Sequence, residues 1–304
     1  MHWIKKGLLF EPKGDLAWMR THASIPCVEH LRENLYRVYC YGRDELNRSQ
    51  VGFFELNMDM PQHILYLTEK PVLGLGELGT FDDSGVMPAC VINFKDKRFL
   101  YYTGWTRGVT VPFYFYIGLA ISTDNGKTFV RFSEAPVLGR SKIDPFLTAS
   151  PSVLIENGIW RMWYVSGARW GYENNQPKHY YHIRYAESKD GFQWVPTGHV
   201  CIDFKNSNEY AIARPFVIYE NKIYKMWYSF RGVSYRIGYA ESWDGLHWSR
   251  LDEKAGIDAS AEGWDSQMVA YPVVFQHKNK KFMLYNGNGY GKTGIGLAIL
   301  EEGT

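Results

Sequence analysis

No stretch of 18 apolar residues occurs anywhere in the 304-residue chain, so nothing in it reads as a transmembrane helix. The opening segment MHWIKKGLLFEP lacks an apolar core long enough for a signal peptide, and a soluble, cytoplasmic protein is expected. Neither sign of charge is in excess. Lys and Arg number 34 against 32 Asp and Glu, a formal +2, so no global field recruits nucleic acid or a membrane. Cysteine is scarce: Cys27, Cys40, Cys90 and Cys201 show no CxxC or other metal-ligand spacing, and no metal or cofactor is expected. Cys27 and Cys90 read as reduced, buried thiols of innermost strands. No linker or low-complexity run divides the chain, so residues 1–304 are expected to form a single domain.

Aromatic residues and repetition are plentiful instead. Phe, Trp and Tyr make up 16% of the chain, which suits a β-rich protein with an aromatic-walled site. One hairpin recurs: IPCVEHLRENLYRVYCYG, MPACVINFKDKRFLYYTG, SPSVLIENGIWRMWYVS, ARPFVIYENKIYKMWYS and YPVVFQHKNKKFMLYNG. Its prolines, Pro26, Pro88, Pro151, Pro215 and Pro272, are spaced by 62, 63, 64 and 57 residues, an internal period. A third strand follows in each copy (YFYIGLAIS, YHIRYAES and YRIGYAES among them), then turns such as STDNGKTF, SKDGFQW and SWDGLHW. Asn-Gly and Asp-Gly supply the positive φ angles of a tight hairpin, and Asp124, Asp190 and Asp244 are expected only to shape it. Four strands in each of five periods predict an all-β fold, a five-bladed β-propeller with four-stranded antiparallel blades. The last period stops at GIGLAIL, so HWIKKGLLFEP is expected to pair with that blade and close the ring.

In such a fold the loops before strand one and after strand two share one face. That face would gather His22, Arg43, Asp44, Asp82, Asp83, Trp105, Arg107, Asp144, Arg169, Trp170, Glu209, Arg214, Arg231, Asp265, Gln267 and Asn288. Indole faces suit sugar rings, carboxylates and amides suit hydroxyls, and guanidiniums bind phosphate or carboxylate in bidentate fashion. For each arginine alone, pairing with a neighbouring acid, as Arg43 with Asp44, is the plainer reading; arginines from several blades point together to an anionic group.

Five blades, a proline opening strand one, Tyr/Trp-rich second strands and S-x-DG-x-x-W turns resemble the five-bladed glycoside hydrolases, families 43, 32, 68 and 130. The resemblance spans the chain and implies catalysis by paired acids, one protonating the leaving oxygen while another activates water or attacks. The sequence departs from those families where their carboxylates stand. Ile25, Met87, Ser150, Arg214 and Tyr271 precede the five prolines, and AWMRTHASIP has Arg20, Thr21 and His22 where a WMNDPNG-type acid would be. The catalytic candidates are then loop acids farther from the proline, Asp83 and Glu209 first and Asp144 third. The remaining face residues are candidates for substrate binding. The expected function is a carbohydrate-active enzyme, glycosidase or phosphorylase, acting on a glycan or sugar phosphate that bears an anionic group. The alternative is a propeller that has lost hydrolysis and binds glycan or nucleotide-sugar, or acts otherwise in surface-polysaccharide assembly. A purely structural interaction propeller is disfavoured by the tryptophans on the face.

Overall fold

The computed structural model describes residues 1–301, and they are all-β in sheets of four to eight strands. After β1 (Trp3–Phe10) come β2 (Thr21–Arg32), β3 (Leu35–Arg43), β4 (Ser49–Asn57) and β5 (Ile64–Leu67). The next run is β6 (Gly85–Phe94), β7 (Lys97–Arg107), β8 (Phe113–Ser122) and β9 (Val130–Arg131). It is followed by β10 (Thr148–Glu156), β11 (Ile159–Glu173), β12 (Gln176–Ser188) and β13 (Val195–Ile202). The last two runs are β14 (Ala211–Glu220), β15 (Ile223–Arg231), β16 (Tyr235–Ser242) and β17 (Ser249–Arg250), then β18 (Ala270–His277), β19 (Lys280–Asn286) and β20 (Ile295–Leu300). Within each run, consecutive strands pair antiparallel. Single parallel bridges, Ser49 to Gly85 and Tyr181 to Ala211, join neighbouring runs into the larger sheets. β1 lies antiparallel to β20, with Trp3 opposite Leu300 and Phe10 opposite Ile295.

The turns explain why the hairpins form where they do. Strands one and two meet at Glu33, Lys95–Asp96, Asn157, Asn221–Lys222 and Lys278, all polar residues with positive φ. At the strand three–four turns the Asp124, Asp190 and Asp244 carboxylates each accept two backbone N–H bonds, and all three are held below the usual carboxylate range. They shape hairpins, as expected.

Apolar clusters fill the space between successive runs. One joins Val38 and Phe54 to Val273, Leu284 and Leu297, so the last run packs on the first. Another joins Trp163 and Tyr185 to Val217 and Met226. Each such large side chain, once buried, contributes about 1.5–3 kcal/mol. The innermost strands contact one another in the order β2, β6, β10, β14, β18 and back to β2. Cys27, Cys40 and Cys201 are buried, Cys90 is half-buried, and none forms a disulfide. Burial pushes the Cys27 thiol up to about 11 and the Cys90 thiol to about 12. Among the described residues no helix is long and apolar enough to cross a membrane.

The innermost strands share one irregularity that builds the site. Ile25, Ser150, Arg214 and Tyr271, each just before a strand-one proline, have φ of 53°, 45°, 52° and 57°. A left-handed residue ahead of proline is strained, and it must be held by its surroundings. Asn286 Oδ1 accepts the Ile25 N–H at 2.8 Å, Thr103 Oγ1 that of Ser150 at 2.8 Å, and Ser229 Oγ that of Tyr271 at 2.8 Å. In every case the acceptor belongs to the second strand of the neighbouring run. The register slips at these points, and Ile25, Ser150 and Tyr271 contribute to a cavity wall.

Candidate functional site

A cavity of about 350 Å³ opens where these bulges meet the loops after strand two. Its wall is aromatic: Tyr41, Trp105, Phe113, Phe115, Tyr181, Tyr235, Tyr271 and Tyr290. β11 and β12, 15 and 13 residues long, outreach the other hairpins and raise one side with His179 and Tyr181. Trp170 backs that side, its ring 5.3 Å from Phe113 and 5.9 Å from His179. The polar groups on the wall are Arg43, Asn47, Ser150, His179 and Arg231, together with the tyrosine hydroxyls. Among the described residues no carboxylate lines the cavity.

Both arginines are tied to neutral groups. Arg231 Nη1 donates to Tyr290 Oη at 2.6 Å, its guanidinium lies 5.2–5.6 Å from the rings of Tyr210, Tyr235 and Tyr290, and its buried Nε has no partner. Arg43 Nη1 donates to Asn47 Oδ1 at 3.1 Å. The Tyr181 and Tyr235 hydroxyls share a 2.6 Å hydrogen bond. Burial pushes Tyr181 up to about 12 and Tyr235 and Tyr271 well above the usual phenol value, so all three stay protonated at neutral pH. His179 stacks on Tyr181 at 4.8 Å with the planes 5° apart; burial, then Arg231 and Lys178, lower it to about 4. The wall therefore offers aromatic faces, neutral donors and acceptors, and two permanent cations.

The acids behave differently from expectation. Asp82 is fully buried and accepts from Tyr102 Oη at 2.9 Å and Arg131 Nε at 2.8 Å. Asp144, also fully buried, accepts from Tyr164 Oη at 2.8 Å and Ser166 Oγ at 2.6 Å, with Arg184 Nη1 at 3.4 Å. Asp265 accepts from Tyr285 Oη at 3.0 Å and Lys5 Nζ at 2.7 Å. Glu209 takes a two-pronged bond from Arg250 at 2.8 and 3.1 Å, and Arg250 also holds Asp252, the acceptor of Tyr228 Oη. These are repeated locks of acid, base and second-strand tyrosine, and they brace the loop before strand one. The first run lacks the acid, and Cys40 replaces the tyrosine; there Trp18 packs on Gly52, as Tyr102, Tyr228 and Tyr285 pack on Gly118, Gly238 and Gly296. Asp83 stands apart, half-buried beside Ser84, whose N–H bonds the Trp105 carbonyl. Burial pushes its carboxyl up, but bonds from Thr106, Gly79 and Ser84, with Arg107 nearby, hold it below the usual range.

Of the residues expected on the face, Arg43, Trp105 and Arg231 line the cavity. His22 lies behind Arg43, lowered to about 4 by burial and then by Arg43 and Lys292. Asp44 pairs with Arg48, not with Arg43. Arg107 donates to the Leu46 carbonyl, and Arg169 lies over the Tyr180 ring at 3.7 Å, both exposed. Arg214 is wholly buried, donating to the Pro26 carbonyl at 3.0 Å. Gln267 and Asn288 pin a loop, Asn288 Oδ1 accepting the Gln267 N–H at 2.8 Å. Tyr41, Phe113, Phe115, His179, Tyr181, Tyr235 and Tyr271 line the cavity without having been expected there. Several of these open the third strands, so the aromatic starts of YFYIGLAIS, YHIRYAES and YRIGYAES were the available signal.

No family model matches the chain. The uncharacterized protein Rv1502 of Mycobacterium tuberculosis strain H37Rv is 43% identical over 302 residues, covering 99% of this chain and all of that one. MT1551 of strain CDC 1551 matches to the same extent. Among solved structures, BT0996 in its complex with RGII superposes with a TM-score of 0.78 at 16% identity, covering 98% of this chain and 92% of that one. A thermostable family-43 glycoside hydrolase gives 0.70 at 18%, covering 97% and 95%. A structure from the GH130 family of mannoside phosphorylases and glycoside hydrolases gives 0.72 at 17%, covering 98% and 93%. At these identities the likeness is one of fold: the chain has the fold of propeller glycoside hydrolases.

Proposed function

This chain belongs to the same family as Rv1502 of Mycobacterium tuberculosis, and we propose that it is a single-domain, five-bladed propeller whose cavity binds a sugar carrying an anionic group. The cyclic contacts of the innermost strands and the pairing of β1 with β20 support the closed ring. One observation carries the ligand reading: an aromatic wall holds Arg43 and Arg231 with no carboxylate beside them. Tyr and Trp faces accept the apolar face of a sugar ring, phenol hydroxyls and Asn47 serve its hydroxyls, and the guanidiniums take a phosphate or carboxylate. The volume falls within the range of small-molecule sites. Hydrolysis by paired acids finds no support on this wall, because Asp144 and Glu209 are committed to their locks. Binding, or chemistry that needs no carboxylate pair, is the favoured role.

Asp83 favours a second reading. It is ionised and stands next to the segment bonded to Trp105, so with the phosphate of a sugar 1-phosphate held by the arginines it is a candidate single base that takes the proton of an acceptor hydroxyl as that hydroxyl displaces phosphate, the synthetic direction of a phosphorylase-like reaction. Calorimetry with glucose 1-phosphate, glucuronate and glucose separates these ideas. Anionic sugars should bind at least tenfold more tightly than glucose, and Arg231→Ala should abolish the difference. Equal affinities, or none, would overturn the anion reading. Turnover of mannosides with phosphate present that disappears in Asp83→Asn would establish the second.

A further inference from the structure

Among the described residues, buried acids and arginines come with partners, with one exception. Glu29, Arg37, Asp82, Asp144, Glu209 and Asp265 are all buried, and each has an opposite charge within 3.4 Å. Arg214 is 1% exposed and has no carboxylate partner among the described residues. Its Nη2 donates to the Pro26 carbonyl at 3.0 Å and to Cys27 Sγ at 3.4 Å, its Nη1 lies 3.5 Å from the Pro215 carbonyl, and its Nε has no acceptor. Cys27 offers no counter-charge, because burial keeps its thiol protonated. A cation isolated in the interior is costly, and an apolar side chain of similar length would serve packing better. The residues ahead of the strand-one prolines meet at the floor of the aromatic cavity. Ile25, Met87, Ser150 and Tyr271 line it from four runs. In the remaining run Ala213 lines it, and Arg214, in the place before Pro215, holds its side chain behind the wall. The Pro26 carbonyl that it reaches belongs to the residue directly after Ile25, so the guanidinium is one residue's depth behind the floor.

With the cavity read as a site for an anionic sugar, we propose that Arg214 is a specificity-determining residue, a fixed positive charge behind the floor that favours an anionic ligand without touching it. A charge in the dry interior is screened less than one in water, so its attraction reaches past contact distance. Arg231, on the open wall, places the anion; the field of Arg214 adds to its binding once it is placed. Arginine suits the position because its guanidinium stays charged where a buried lysine would give up its proton.

The test compares the full chain with Arg214→Met, which keeps the length without the charge, and Arg214→Gln, which keeps an N–H for the Pro26 carbonyl. Calorimetry with glucose 1-phosphate and with glucose measures the preference for the anionic sugar. Both variants should keep the glucose affinity and unfold at the same temperature or higher. Both should bind glucose 1-phosphate about fivefold more weakly, the scale of one charge acting over roughly 10 Å of partly screened protein. A preference unchanged in either variant would overturn the proposal. So would an equal loss of glucose and glucose 1-phosphate binding, the mark of a side chain that only braces the floor, or a variant that no longer folds, since the charge would then serve the fold. An unaltered protein without the preference would sink the anionic-sugar reading and the role of Arg214 with it; a preference that outlives the charge sinks the role of Arg214 alone.

Discussion

Around the cavity, Asp82, Asp144, Glu209 and Asp265 each sit against a base, whereas inside it Arg43 and Arg231 have only neutral partners. The two sets belong to the same face of the molecule, yet they meet opposite fates. A buried carboxylate without a partner is too costly to keep, so the acids that brace the loops bring their own cations. The cavity arginines are open to solvent on one side and bear no such requirement. An unpaired cation facing a concave aromatic wall is available to a ligand; a paired acid in a dry lock is not.

Four measurements sharpen or break this division. Removing residues 1–10 should have the largest effect. It strips Trp3, Leu9 and Phe10 from the core and takes Lys5 from Asp265, so a loss on the order of 5 kcal/mol is expected in urea unfolding. Next, Asp144→Ala should cost about 3–5 kcal/mol by leaving Arg184 and Tyr164 without their acceptor. Its sugar affinity should be that of the unaltered protein, and a variant of normal stability with no ligand binding would refute the lock. Arg231→Ala should do the reverse, lowering affinity for glucose 1-phosphate by tenfold or more while stability changes by roughly 1 kcal/mol or less.

The smallest effect concerns pH. His179 and His22 are each lowered to about 4, so between that value and about 6.5 the unfolded chain holds more protons than the folded one. Their contribution to stability is therefore complete above pH 6.5 and is lost as pH falls through that window. Unfolding followed from pH 7 to pH 4.5 should show the decline, and His179→Phe should flatten part of it.

Much of the architecture was legible in the repeats, because Pro26 and its four counterparts mark the innermost strands and the Asp-Gly turns mark the last hairpins. The site was less so. Asp82, Asp144 and Asp265 looked like loop acids free to face the opening, although each has a tyrosine 20 residues later to which it bonds. That constant separation is present along the chain, but it becomes a contact only once the paired strands are laid side by side. The bulges at Ser150 and Tyr271 carried no such signal: a residue before proline is ordinarily extended, and only the neighbouring Thr103 and Ser229 hold these two otherwise. His179 and Tyr181 escape notice because a strand's opening residues read as edge, whereas an unusually long hairpin carries them over the cavity.

The pairing of β1 with β20 sets an order of events. Within this chain β1 is made before β20, so its edge stays uncovered until that later strand arrives, while β2 to β19 assemble between them. Until then Trp3, Leu9 and Phe10 are an unclaimed sticky end, and during synthesis the newborn protein is most exposed to mispairing with a neighbouring copy at that strand.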